Sequence, residues 1–218
     1  MAGILDLLNS DLGKTLIQGA SSQAGAPASK TADVLSMALP VLMGAMKQNA
    51  STPEGAAGLM GALQTKHDGS ILDNLGSLFG GGVDDNVLQD GAGILGHVLG
   101  GKQNNVQNAL SKQSGLDAGT VATILKVAAP ILMGYLGKQT QQSNVSGSNG
   151  IGDLIGGLLG GGSGPGAKQQ SMIEAFLDAD GDGSIVDDLA GMLLNQGGNK
   201  SGGAGMLGGL LGGLFGKK

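Results

Sequence analysis

The chain has 218 residues, of which 45 are Gly, one is Tyr and three are Phe, with no Trp, no Cys and a formal net charge of −5. Absence of cysteine excludes disulfides, thiolate nucleophiles, zinc knuckles and iron–sulfur clusters. All of its basic residues are lysines, and with a negative balance this removes both the bidentate phosphate fork and the basic stripe that nucleic acid or an anionic membrane would need.

In chain order, Ile4, Leu5, Leu8, Leu12 and Leu16 recur at helical intervals and predict a first amphipathic helix, ended by an Ala/Ser/Gly-rich linker from Gly19 to Pro27. The same stretch has no positive amino-terminal region and carries Asp6 and Asp11, so it does not read as a secretory signal. The cytoplasm is the default address, and export by a route that reads no such signal stays open. A second helix is expected over 31–50, with Val34, Leu35, Leu39, Leu42, Met43 and Met46 facing inward and Pro40 kinking it. Ser51-Thr52-Pro53-Glu54 predicts the start of a third: an N-cap, a proline preset for the first turn, and a negative charge at the helix's positive end. Shorter helices are expected near 70–78, 84–99 and 104–113, each closed by glycine. No stretch alternates as a strand would, and no apolar run approaches the roughly 20 residues of a spanning helix.

The chain then repeats itself. Ala38-Leu-Pro-Val-Leu-Met-Gly-Ala-Met-Lys-Gln48 returns as Ala129-Pro-Ile-Leu-Met-Gly-Tyr-Leu-Gly-Lys-Gln139, and Asp73–Gly82 is echoed by Asp153–Gly162. Internal duplication explains both, and predicts two equivalent proline-containing helices packed at the centre of an all-α body. The Leu39–Gly44 and Pro130–Gly134 motifs, with the Gly-Leu-Leu-Gly runs, resemble the YidB-like bacterial proteins of unknown function. The resemblance covers roughly residues 1–162. It implies an all-α fold and a bacterial source, and it brings no catalytic residues.

Beyond it lies Asp178-Ala-Asp-Gly-Asp-Gly-Ser-Ile-Val-Asp-Asp188, expected as an addition to that body. Carboxylates at alternate positions, Asp178, Asp180 and Asp182, repel one another unless a hard divalent cation lies between them. Gly183 falls at the sharp turn of an EF-hand-like loop and Ser184 at its backbone ligand. The twelfth position is Leu189 rather than a bidentate Glu, so the last ligand is expected from Asp188, or Asp187 next. The expected metal is calcium, bound weakly, with Kd on the order of 10⁻⁴ M. A plain solvated turn between helices is the bland alternative. The chain thus divides into a duplicated helical domain (1–162), a helix–loop–helix (163–200) and a Gly/Leu-rich tail (201–218).

In Gly156–Gly161 and Gly208–Phe215 leucine pairs lie on one helix face and glycines on another, which lets backbones approach closely. Disordered tails, helices docked on the core or on another copy, and peripheral membrane contact are the three readings. For catalysis there is little. His67 and His97 lack metal-ligand or nucleophile spacing; His67 is expected to pair with Asp68 at a helix end and His97 to border a helix core. Glu54 reads as helix-end chemistry and Glu174 as a solvated helix residue. An enzyme would need Asp84, Asp85 or Asp90 to line a cleft. The leading expectation is a non-enzymatic structural or self-assembling protein, a homo-oligomer through Gly/Leu surfaces. The alternative is a calcium-responsive regulator exposing a Met/Leu-rich surface to a partner.

Overall fold

The computed structural model describes residues 4–145 and 148–159. Among them every regular element is helical: α1 Ile4–Asn9, α2 Asp11–Ala24, α3 Ala28–Asn49, α4 Pro53–Thr65, α5 Ser70–Asp73, α6 Leu75–Gly80, α7 Asp85–Leu99, a 3-10 turn Gly100–Lys102, α8 Gln103–Ser114, α9 Ala118–Gln142 and α10 Ser148–Leu158. The expected 163–200 and 201–218 segments lie outside the described residues.

The first predicted helix is two. Ser10 interrupts it: its hydroxyl accepts the Gly13 N–H at 3.2 Å, capping α2, and donates to the Leu7 carbonyl at 2.6 Å. The predicted linker from Gly19 is also mostly helix, because α2 continues to Ala24 and stops only where Gly25 takes a left-handed conformation (φ 63°). Gly19 lies inside that helix, where the Phe79 ring leaves no room for a Cβ. The α4 start is as the sequence indicates, with Thr52 Oγ1 accepting the Gly55 N–H at 3.1 Å and Pro53 in the first turn.

The duplication is visible as geometry. Gly115 closes α8 with φ 72°, 90 residues after Gly25. The Ser21 hydroxyl donates to the Ala26 carbonyl and the Ser111 hydroxyl to the Leu116 carbonyl, both at 2.6 Å, so each turn into a long helix is tied in one way. Those long helices, α3 and α9, carry Pro40 and Pro130 inside them and pack against each other. The halves exchange their coverings. α2 and α5 pack on α9 of the other half, while α8 and α10 pack on α3.

Val34, Leu35, Leu39, Leu42 and Met43 of α3, with Ile124, Leu125, Ile131 and Leu136 of α9, form the centre of the core. Each such side chain stabilises by roughly 1.5–3 kcal/mol on burial. One expectation needs amending. By length and composition α9 is apolar enough to cross a membrane, yet 67% of its most apolar window is buried in this body, as befits a central core helix.

Candidate functional site

A cleft of about 860 Å³ lies between α4 and α7, floored by the end of α3 and by Met133. Met46, Leu59, Ala62, Ile94 and Val98 give it an apolar lining, and Gln48, Asn49 and Gln89 give it an amide rim. Asn49 Nδ2 donates to the carbonyls of His97 and Val98, both at 3.2 Å, tying the end of α3 to the end of α7.

His67 lines the cleft just past the end of α4. Its side chain is buried, and Nε2 lies 3.8 Å from Asp90 Oδ2 on α7. This differs from the local pair expected with Asp68, because the Asp68 carboxylate instead accepts the Ser70 N–H at 3.0 Å. Burial pushes the His67 pKa below its ordinary value and Lys66 pushes the same way. The charges of Asp90 and Asp68 oppose that and do not reverse it. His67 is therefore a neutral imidazole at neutral pH. His97 also lines the cleft but is exposed rather than bordering the core.

Of the three aspartates named for an enzyme, only Asp90 reaches this cleft. Asp84 caps α7, accepting the Asn86 N–H at 2.8 Å, and Asp85 is exposed. The two hydroxyls in the lining are engaged in their own helix: Thr52 Oγ1 caps α4, and Thr65 Oγ1 donates to the Gly61 carbonyl at 2.8 Å. No hydroxyl in this lining is hydrogen-bonded to either histidine, as an activated nucleophile would be.

Glycine is the other feature of these walls. Gly58 and Gly61 in α4, and Gly93 and Gly96 in α7, stand mid-helix with nothing within 4 Å of where a Cβ would sit. Gly58 and Gly93 line the cleft. They contrast with Gly91, where a Cβ would lie 1.9 Å from the Lys126 carbonyl oxygen, and Gly137, where it would lie 1.8 Å from that of His67. The latter two are required by internal packing; the former four are not. Spacing alone shows the glycines but not which are free, since that depends on which helices meet.

The sequence-predicted metal residues, Asp178, Asp180, Asp182, Ser184, Asp187 and Asp188, lie outside the described residues. Part of their pattern recurs within them. Asp68-Gly-Ser-Ile-Leu-Asp-Asn-Leu75 repeats as Asp182-Gly-Ser-Ile-Val-Asp-Asp-Leu189. In the first copy the motif is a helix entry: Asp68 holds the Ser70 N–H, Gly69 turns at φ 105° against α9, and Asp73 lies 3.5 Å from Lys138. Asp178 and Asp180 have Gln64 and Lys66 as counterparts, so those two carboxylates set the second copy apart. Among the described residues no three His, Asp or Glu side chains converge as metal ligands would.

No curated protein and no solved structure matches the chain. A family model described as "Bacterial protein of unknown function (DUF937)" matches residues 6–139 and 144–217. The matched residues run well past 162 and take in 178–188, so the acidic loop falls within the family's span rather than being an addition to it. With nearly its whole length matched, the chain belongs to the DUF937 family of bacterial proteins of unknown function.

Proposed function

We propose that the protein is a non-enzymatic helical interaction module that self-associates through the α4–α7 cleft, its occupant being the α4–α7 surface of a second copy. One observation supports this reading: Gly58, Gly61, Gly93 and Gly96 occupy helix interiors where, among the described residues, nothing lies within 4 Å of a missing Cβ. Each costs its helix about 1 kcal/mol relative to alanine. A second helix lying in the cleft would use Gly58 and Gly93, which line it, since small residues let backbones approach closely, and the apolar lining supplies the buried surface. The test is light scattering coupled to size-exclusion chromatography over a range of concentrations, on the natural chain and on Gly58→Leu/Gly93→Leu. Concentration-dependent association that the double variant abolishes supports the reading; a monomer at every concentration refutes it.

A weak calcium site at Asp178, Asp180 and Asp182, completed by the Ser184 carbonyl and by Asp188 or Asp187, belongs to the same proposal. It rests on the alternating carboxylates, and the two that lack counterparts near Asp68 are the ones it most depends on. Calorimetric titration with calcium tests it, and no heat at millimolar calcium removes it.

A further inference from the structure

Among the described residues the buried polar side chains are those of Thr31, His67, Ser114 and Thr140. Three are satisfied locally: the hydroxyls of Thr31, Ser114 and Thr140 donate to the Pro27, Leu110 and Leu136 carbonyls at 3.2, 2.7 and 2.8 Å. His67 is the exception. Its side chain is 7% exposed, and neither ring nitrogen makes a hydrogen bond to a described residue; Asp90 Oδ2, at 3.8 Å from Nε2, is beyond that reach. A buried polar group left without a partner is costly, so an imidazole set in an apolar wall calls for a group to meet it.

The 3.8 Å separation fits one kind of group. A single oxygen can stand about 2.8 Å from Nε2 and from Oδ2 at once, and a hydroxyl there accepts from an imidazole N–H while donating to the carboxylate. Charge on that group is disfavoured with either sign. A cation meets what already keeps His67 neutral, burial first and then the charge of Lys66, which the charge of Asp90 does not reverse; an anion meets Asp90 directly. Beside this pair the walls are apolar, with Leu59 and Ala62 on α4 and Ile94 and Val98 on α7. From Asp90 to Val98 α7 rises about 12 Å, about the length of an extended eight-carbon chain. Gly58 and Gly93 leave the space between these walls open.

We infer that the cleft binds a neutral amphiphile, a small molecule with an apolar body and one terminal hydroxyl. The hydroxyl bridges His67 and Asp90, and the body lies between α4 and α7 on Leu59, Ala62, Ile94 and Val98. The volume of about 860 Å³ is that of a small-molecule site, and such sites are apolar with a few convergent polar groups. This goes beyond self-association, which uses the same walls, and the two occupants exclude each other. A bound amphiphile therefore keeps copies apart.

1-Octanol and its isomer heptyl methyl ether test this, because they match in size and differ in the hydroxyl donor. Binding to the full-length chain, labelled at its methionine methyl groups, is read by NMR from the Met46 and Met133 signals at a protein concentration where light scattering shows a single species. Octanol is expected to shift both signals saturably, with a Kd about tenfold below that of the ether, the ratio for about 1.4 kcal/mol. Octanoate and octylammonium are expected to bind about tenfold more weakly than octanol, or worse. Asp90→Leu, at a half-buried position, is expected to erase the preference for octanol, since the ether accepts from His67 as the alcohol does; His67→Phe is expected to weaken both. No saturable shift up to the solubility of octanol, equal affinities for octanol and ether in the natural chain, tighter binding of either ion, or a preference that survives Asp90→Leu overturns the proposal. A chain that is monomeric at every concentration and still binds octanol refutes self-association alone, and associating chains that bind no octanol refute the ligand alone.

Discussion

Replacing Gly58, Gly61, Gly93 and Gly96 together by alanine separates the cost of these glycines from their use. At each position a methyl group enters open space, so no steric term opposes the gain in helix propensity and the reduced freedom of the unfolded chain. Four such changes without shared partners add, giving about 4 kcal/mol and, for a chain of this size, a rise in Tm of about 8–16 °C. The assay is thermal unfolding by circular dichroism at low concentration, with Gly91→Ala as the opposing control. There a Cβ 1.9 Å from a backbone carbonyl forces α7 away from α9, and a loss of about 1–3 kcal/mol is expected. The quadruple variant is also expected to self-associate more weakly than the natural chain. If it gains no stability, the four positions are not free and the reasoning from their open surroundings fails. If it gains stability but associates as before, the cleft is not the contact between copies.

Four further outcomes follow from particular residues. His67, with its folded pKa depressed, contributes stability that is intact above about pH 6.5 and is lost as pH falls through the unfolded value, because the unfolded chain then binds the extra proton; unfolding at pH 5.5 against 7.5 is expected to show a drop that His67→Gln shrinks. Asp117→Ala removes the cap of α9, whose carboxylate accepts the Thr120 N–H at 2.9 Å, and is expected to cost about 1 kcal/mol in chemical denaturation. Gly137→Ala, with a Cβ aimed at the His67 carbonyl, is expected to destabilise by about 1–3 kcal/mol and to raise the exchange rate of α4 amides, read by hydrogen exchange. Asp178→Asn/Asp180→Asn is expected to abolish the heat of calcium binding, whose Kd is expected near 10⁻⁴ M, while leaving unfolding without calcium unchanged.

What the sequence made legible was local. The α4 start could be read from Thr52-Pro53-Glu54 because a cap and a first-turn proline act within one turn, and the two central helices could be read from their repeated proline motif. The break at Ser10 was missed, although the capping residue is there, because Ile4 to Leu16 keeps a helical apolar period across it. Gly19 invited a linker, and only the Phe79 ring packed against it shows why a helix has glycine there. The cleft lay beyond local reasoning altogether. His67 follows α4 and Asp90 lies in α7, and their meeting is set by how α4 and α7 pack around α9.

The repeated Asp-Gly-Ser-Ile motif changes what the acidic loop can be asked to do. In the first copy its carboxylate accepts the Ser70 N–H and its glycine turns against α9, so this residue pattern has a structural use that needs no cation. That entry needs no carboxylate two or four residues before the Asp, and the first copy has Lys66 and Gln64 there. Asp178 and Asp180 add like charges four and two residues before Asp182 in the sequence, and such a cluster weakens folding unless a cation or a basic neighbour offsets it. The repeated motif accounts for the second half of the 178–188 sequence without a cation, so a calcium site is called for only by Asp178 and Asp180, which have no counterparts in the first copy.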